Sequence, residues 1–210
     1  MGNNISIEKL IENSFKELLN IGKENDTQQN SKPRLIFPRY YPEGKAGDKR
    51  ISEQELRFTL ARKLENESNF YYSVEAPTQK KYAFEGLKEN SRSGSIDLCL
   101  HDSNGKRTNL IEFKNKGGIS EISKDLEKLL FDLESENNYF VHLDSSKSKS
   151  ADKIYEEYKM ALEEAKENSS ECRQGEKIIA NVIIFLFVIN TGNLHKYEIH
   201  KDGQLNKVES

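Results

Sequence analysis

Three charged side chains near the middle of the chain have types and a spacing suited to metal chemistry: Asp97, Glu112 and Lys114. Two carboxylates that face each other across neighbouring strands repel unless a cation lies between them. Lys114 neutralises part of this charge but cannot bridge both carboxylates. A hard divalent ion such as Mg²⁺ can, because it takes oxygen ligands from one or two carboxylates and completes its shell with water and substrate phosphate.

The register of a predicted hairpin brings the two carboxylates together. Residues 95–101 and 108–114 alternate between apolar and polar side chains on either side of Asn104-Gly105, which favours a two-residue turn. That turn places Asp97 opposite Glu112. Because side chains alternate along a strand, the charged residues share one face and the apolar residues the other. One face is therefore predicted to be core and the other a site; a solvated polar face with a fortuitous salt bridge is the alternative.

The flanking sequence predicts the elements that hold this hairpin, in the order helix, helix, three strands, helix, strand, helix, two strands. Hydrophobic periodicity, helix caps and turn residues set their approximate limits. The predicted helices begin near residue 7 and at Ser52 and cover 119–133 and 153–166; the predicted strands cover 69–75, 95–101, 108–114, 139–143, 177–190 and 194–200. Pro77 is expected to end the first strand.

Composition limits the classes of protein that this chain represents. Its 210 residues suit one domain with a small extension. The chain has 32 lysine and arginine residues and 35 acidic residues, which gives a net charge of -3. Any affinity for a polyanion such as nucleic acid must therefore come from a local basic patch. The two cysteines lack zinc or disulfide spacing, no secretory signal opens the chain, and the longest apolar run is too short to cross a bilayer. We expect a cytoplasmic protein with no membrane partner.

Asp97 on one strand and Glu112-Phe113-Lys114 on the next, between a helix that carries Glu55 and another amphipathic helix, resemble the PD-(D/E)XK nuclease superfamily. The resemblance covers roughly residues 50–143, with Ile96 where the family name has proline. It implies an α/β (α+β) fold with a restriction-endonuclease-like core, in which helices flank a central mixed sheet in the order αβββαβ. The expected organisation is an N-terminal helix and basic, aromatic loop (1–50), the nuclease core (51–143), and a helix and strands that complete the domain (144–210).

The resemblance also implies a role for each residue of the motif. Asp97, Glu112 and the backbone carbonyl of Phe113 would hold Mg²⁺, for which Mn²⁺ could substitute. Lys114 would orient the attacking water and stabilise the negative charge of the transition state. Glu55 would contact the metal through a water molecule, or would contact a second metal site. Glu55 also ends a Ser-x-x-Glu capping box that begins at Ser52, and both interpretations stay open.

Basic and aromatic residues near the motif suit phosphate contact and base stacking. An ordinary surface loop is the alternative for the segment 31–50, and for Glu75 a solvent-facing position is favoured over a place in the site. The candidate nucleic-acid contacts are Arg34, Arg39, Tyr40, Lys49, Arg50, Arg92 and Lys116.

The function expected from these features is a Mg²⁺-dependent endodeoxyribonuclease of restriction, phage-defence or repair type, with DNA as partner and a homodimer as a compatible assembly. The first alternative is a catalytically inactive module of the same fold that binds nucleic acid or a protein. The second is a carboxylate site that holds a cation for structural reasons only.

Overall fold

The computed structural model describes residues 5–24, 35, 37, 51–82, 92–144, 149–173 and 177–208. The predicted contacts Arg34, Arg39, Tyr40, Lys49 and Arg50 lie outside these residues. The chain divides into two compact units, Met1–Phe70 and Tyr71–Ser210.

The first unit contains two helices, α1 (Ile7–Glu24) and α2 (Glu53–Glu67). Both begin where the sequence predicts and bury an apolar stripe of helical period. Glu17 of α1 joins them, because its carboxylate forms ion pairs with Arg62 and with Lys63, the second at 2.9 Å.

The second unit is one mixed sheet with two further helices among its described residues. The seven strands lie side by side in chain order. The elements are β1 (Tyr71–Tyr82), β2 (Arg92–His101), β3 (Arg107–Asn115), α3 (Ile119–Phe131), β4 (Asn137–Asp144), α4 (Ala151–Arg173), β5 (Asn181–Val188), β6 (Asn193–Ile199) and β7 (Leu205–Val208). Strands β3, β4 and β5 are parallel and the other neighbours antiparallel. The general α/β class with a mixed sheet is confirmed, while β7 was not predicted.

The core of this unit lies between the sheet and the helices α3 and α4. Leu126, Leu129 and Leu130 of α3 pack with Tyr158 of α4 and with Phe140 of β4. Strands β4 and β5 are buried almost throughout, as expected of parallel strands in the middle of a sheet. Among the described helices, none combines the length and apolar character needed to cross a membrane.

Strand β1 continues through Pro77 to Tyr82, so the prediction that Pro77 ends it is wrong. Among the described strands β1 lies at the edge of the sheet, and edge strands tolerate proline. The register shifts between Pro77 and Lys81. In that stretch Asp132, just after α3, accepts hydrogen bonds from the backbone N–H groups of Gln79 at 3.0 Å and Lys80 at 2.8 Å. The buried carboxylate of Asp132 thus takes the place of strand carbonyls as the hydrogen-bond acceptor where the ladder is irregular.

We expect Asp132→Ala to lower the free energy of unfolding by about 2–3 kcal/mol, because charge-assisted bonds to two backbone amides are lost at a buried site. Urea denaturation measures the change. Asp152→Ala is the matched control, since Asp152 is exposed and pairs only at the surface with Lys207; little change is expected there. Equal stability of the two variants would contradict the role assigned to Asp132.

Candidate active site

The hairpin of β2 and β3 has the predicted register where it matters for the site. Leu98 pairs with Ile111, and the same register holds over Leu98–Leu100. Extended one step beyond its last pair, this register would place Asp97 opposite Glu112. The described pairs end at Leu98 and Ile111, so the facing position of the two carboxylates stays a prediction; it is supported by the charge of Asp97, which acts on Glu112.

The turn that sets this register differs from the prediction. The N–H of Asp102 donates to the carbonyl of Lys106 at 2.9 Å, so the loop has three residues, 103–105, and not two. The register shifts between Leu100 and His101, because β3 contains one extra residue at Thr108. The longer loop and the bulge offset each other, and the pairs beyond them are the predicted ones.

Asp97 lies where the ladder between β2 and β3 ends. Its Oδ2 accepts a hydrogen bond from the backbone N–H of Phe113 at 2.8 Å. A side chain here takes the place of a backbone acceptor, and Asp97 remains partly exposed. Its carboxylate is thus fixed against β3, one residue from Glu112.

Glu112 is almost completely buried, with 3% of its surface exposed. Its Oε1 lies 2.5 Å from the Nζ of Lys128. Burial raises the pKa of Glu112 well above its ordinary value; Lys128 opposes the rise, and the negative charges of Asp125 and Asp97 add to it. Three carboxylates therefore act on one another around Glu112.

Two lysines balance these carboxylates. Lys128 also contacts Asp125 Oδ1 at 2.9 Å, and Lys114 contacts Asp125 Oδ2 at 2.7 Å. Burial alone would lower the pKa of Lys128, but the charges of Glu112 and Asp125 outweigh it and raise the pKa, so the amine stays protonated. With all groups ionised, three carboxylates and two ammonium groups leave one net negative charge.

Asp125 and Lys128 were not predicted as site residues. The sequence offers one signal for them: they and Asp132 stand at helical spacing beside the apolar stripe of α3, immediately after the strand that carries Glu112. A charged stripe next to a core-facing stripe lies at the boundary of the core. All three side chains are in fact buried.

The connection between β3 and α3 holds the stem of Lys114. Lys116 and Gly117 both have left-handed backbone conformations, with φ of 65° and 117°. A Cβ on Gly117 would lie 3.2 Å from Cδ of Lys114, so glycine allows the chain to pass close to that side chain. Strained backbone of this kind clusters at functional sites.

His142 lies beside Lys114 in the register of β4 with β3. Its Nδ1 is 2.8 Å from the hydroxyl of Tyr158, and burial lowers its pKa to about 4. His142 is therefore a neutral neighbour of Lys114 at physiological pH.

Glu75 lies in register between Val74 and Ala76, which pair with Leu98 and Ile96, and therefore opposite Asp97. Its side chain is exposed, as favoured from the sequence, but its Oε2 also accepts a hydrogen bond from Ser95 Oγ at 2.8 Å. Its φ of 51° is unusual for a residue other than glycine.

The structure also describes three other predicted residues, Glu55, Arg92 and Lys116. Glu55 belongs to the first unit, where its carboxylate accepts hydrogen bonds from the backbone N–H of Ser52 at 2.7 Å and from the Ser52 hydroxyl. The capping interpretation is confirmed, and a metal role for Glu55 stays a prediction. Arg92 begins β2, and the side chain of Lys116 is exposed.

The oxygen donors of Asp97, Glu112 and the Phe113 carbonyl are of the type that Mg²⁺ prefers. Within the described ranges, no group of three or more histidine, cysteine, aspartate or glutamate side chains is arranged to hold a metal ion. The donor set fits an ion held by two carboxylates that completes its shell with water. Lys128 contacts Oε1 of Glu112, so an ion at that oxygen would have to displace it.

Comparison with known proteins adds no relative to this picture: neither a protein-family model nor a curated protein matches the chain.

Proposed function

We propose that the chain is a Mg²⁺-dependent nuclease that hydrolyses phosphodiester bonds of DNA. The observation that carries the proposal is that Asp97 is bonded to β3 at the Phe113 amide, next to Glu112, with Lys114 on the same strand, where the ladder between β2 and β3 ends. We also propose that the order α2-β1-β2-β3-α3-β4 is that of a restriction-endonuclease-like core, as the resemblance implies.

The energetics of the cluster support a functional role. Glu112, Asp125 and Lys128 are buried charged residues. Replacing a whole buried ion pair by well-packed apolar side chains often leaves protein stability unchanged or increases it. A fully apolar set of side chains would serve stability as well as the whole charged cluster, although removal of one partner alone is destabilising. Buried ionisable groups with strongly raised pKa values beside partly exposed polar groups are typical of catalytic sites.

The residues of the cluster divide the work of hydrolysis. When bound, the divalent ion lowers the pKa of a coordinated water and polarises the scissile phosphate. Asp97 and Glu112 hold the ion, with the Phe113 carbonyl as a further oxygen. Lys114 orients the water and stabilises the negative charge that develops as water attacks phosphorus and the P–O bond breaks. Asp125 positions Lys114 through their ion pair.

The proposed substrate contacts lie beside this site and in the basic loop. The side chain of Lys116, two residues after Lys114, is exposed. With a net charge of -3, DNA binding must depend on local basic residues and weaken as salt increases. We propose an endonuclease that acts in the cytoplasm in restriction, phage defence or repair, with a homodimer as a compatible assembly.

One observation favours the alternative of an inactive module that binds nucleic acid or a protein. Lys114 and Lys128 already balance most of the carboxylate charge. A module of this kind would bind DNA with or without divalent metal and would leave the DNA intact.

The proposal is tested by incubating supercoiled plasmid, single-stranded DNA and single-stranded RNA with the protein in Mg²⁺, Mn²⁺ or EDTA. We expect cleavage of DNA in either metal and none in EDTA. Asp97→Ala should abolish cleavage, because it removes a metal ligand and the acceptor of the Phe113 amide.

Asp152→Ala, in which an exposed carboxylate is removed on α4, should cleave like the wild type. If all substrates remain intact, or if Asp97→Ala cleaves normally, the assignment is wrong. DNA binding without cleavage would establish the alternative.

A further inference from the structure

Lys128 occupies a complete cation site made of oxygen atoms. Its Nζ lies 2.5 Å from Glu112 Oε1, 2.9 Å from Asp125 Oδ1 and 3.1 Å from the backbone carbonyl of Ser95. These three oxygens surround the ammonium group within 3.1 Å. The oxygens come from β3, α3 and β2, so the lysine joins all three elements.

These ligands are also the kind that a divalent metal prefers. Carboxylate and carbonyl oxygens are hard donors that suit Mg²⁺ and Mn²⁺. An ammonium group and a metal ion on the same oxygen of Glu112 would place two positive charges in contact, and such charges repel strongly where solvent is excluded. The ammonium group and a metal ion therefore exclude each other at Oε1 of Glu112.

We propose that Lys128 is the counter-ion of Glu112 in the metal-free protein, and that a divalent cation displaces it. This inference rests on the proposed metal-dependent function and adds how metal binding at that site is regulated. The lysine side chain has a flexible four-carbon stem, so its ammonium group can leave Glu112 while the helix stays in place. Lys128 keeps the buried carboxylate neutralised before metal binds. Because the metal has to displace the lysine, the apparent affinity for metal is lower than it would be without Lys128.

Calorimetric titration of the Lys128→Met variant with Mg²⁺ or Mn²⁺ alone tests the exchange. This substitution keeps an unbranched side chain of similar size and removes its charge. At a pH that ionises Glu112 in both proteins, we expect metal to bind about tenfold more tightly than in the wild type, because the metal no longer has to break one charge-assisted interaction. Lys124→Met, on the same helix, is the matched control and should bind metal like the wild type. Equal or weaker binding by Lys128→Met overturns the exchange.

A second measurement uses the wild-type chain and does not depend on how Lys128→Met folds. In protein labelled with ¹⁵N-lysine, the ammonium signal of Lys128 is identified by its absence from Lys128→Arg. We expect this signal in EDTA and its shift or loss at saturating Mg²⁺. A signal that saturating metal leaves unchanged overturns the exchange while the proposed function stands, whereas the absence of metal binding in every variant overturns both.

Discussion

Glu112→Gln is expected to reduce DNA cleavage by about 10²–10³-fold while the protein remains folded. The substitution removes the negative charge that holds the metal but keeps the shape of the side chain. Lys128 retains Asp125 and the Ser95 carbonyl as partners, so its charge is not left uncompensated. Loss of activity should therefore far exceed loss of stability.

Single-turnover cleavage of plasmid DNA and urea denaturation of the same preparations measure the two effects. Glu134→Gln is the matched control because Glu134 is an exposed glutamate shortly after α3. It should cleave and unfold like the wild type. Cleavage by Glu112→Gln at the wild-type rate would show that Glu112 is not a metal ligand in the reaction.

Lys128→Met is expected to lower the free energy of unfolding by about 3–5 kcal/mol, the cost of leaving one partner of a buried ion pair uncompensated. Glu112 and Asp125 would then face each other in the core without the cation that contacts both. Lys124→Met on the same helix should have a much smaller effect, and an equal loss in both variants would contradict the role of Lys128.

The pH dependence of this loss has a definite sign. The pKa of Glu112 in the folded protein is raised above its ordinary value of 4.5 by burial, and removal of Lys128 raises it further. From about pH 4.5 upwards both folded proteins keep the proton on Glu112 while the unfolded chains lose it, so the difference between them does not change there. It grows once the pH passes the folded-state pKa of the wild type, because only the variant then keeps the proton. Urea denaturation of both proteins across this range tests the sign. A stability difference that does not change with pH would contradict it.

The hairpin was predictable because its pattern is strong and local. Alternation fixes which side chains share a face, and one face of apolar residues excludes a slip by one residue. The turn was predicted wrongly, yet the bulge at Thr108 restores the register between Leu98 and Ile111. The register that leads to Asp97 and Glu112 followed from the pattern of the strands more than from the turn.

The partners of the carboxylates could not be derived from the strands alone. The sequence required a cation near Asp97 and Glu112, and a metal was the inferred solution. In the structure Lys128 contacts Glu112 from α3, a helix that periodicity identified only as core. Which face of a helix meets a sheet depends on tertiary packing, and a single sequence does not specify it.

Pro77 shows the same limit for the sheet. A proline ends a central strand, but among the described strands the predicted one lies at the edge of the sheet, where its missing N–H is tolerated. Asp132 then stabilises the irregular segment from a helix that follows more than 50 residues later in the chain. Strand order and distant contacts of this kind are properties of the fold and not of the local sequence.

The central claim is that Asp97 and Glu112 form a metal-dependent hydrolytic site, and its most direct test is single-turnover plasmid cleavage by the wild type and Asp97→Ala over a titration with Mg²⁺. We predict that the wild-type rate rises with Mg²⁺ to saturation and returns to zero with EDTA. Asp97→Ala should stay inactive at every Mg²⁺ concentration. Cleavage that is independent of Mg²⁺, or that persists in Asp97→Ala, would contradict the claim.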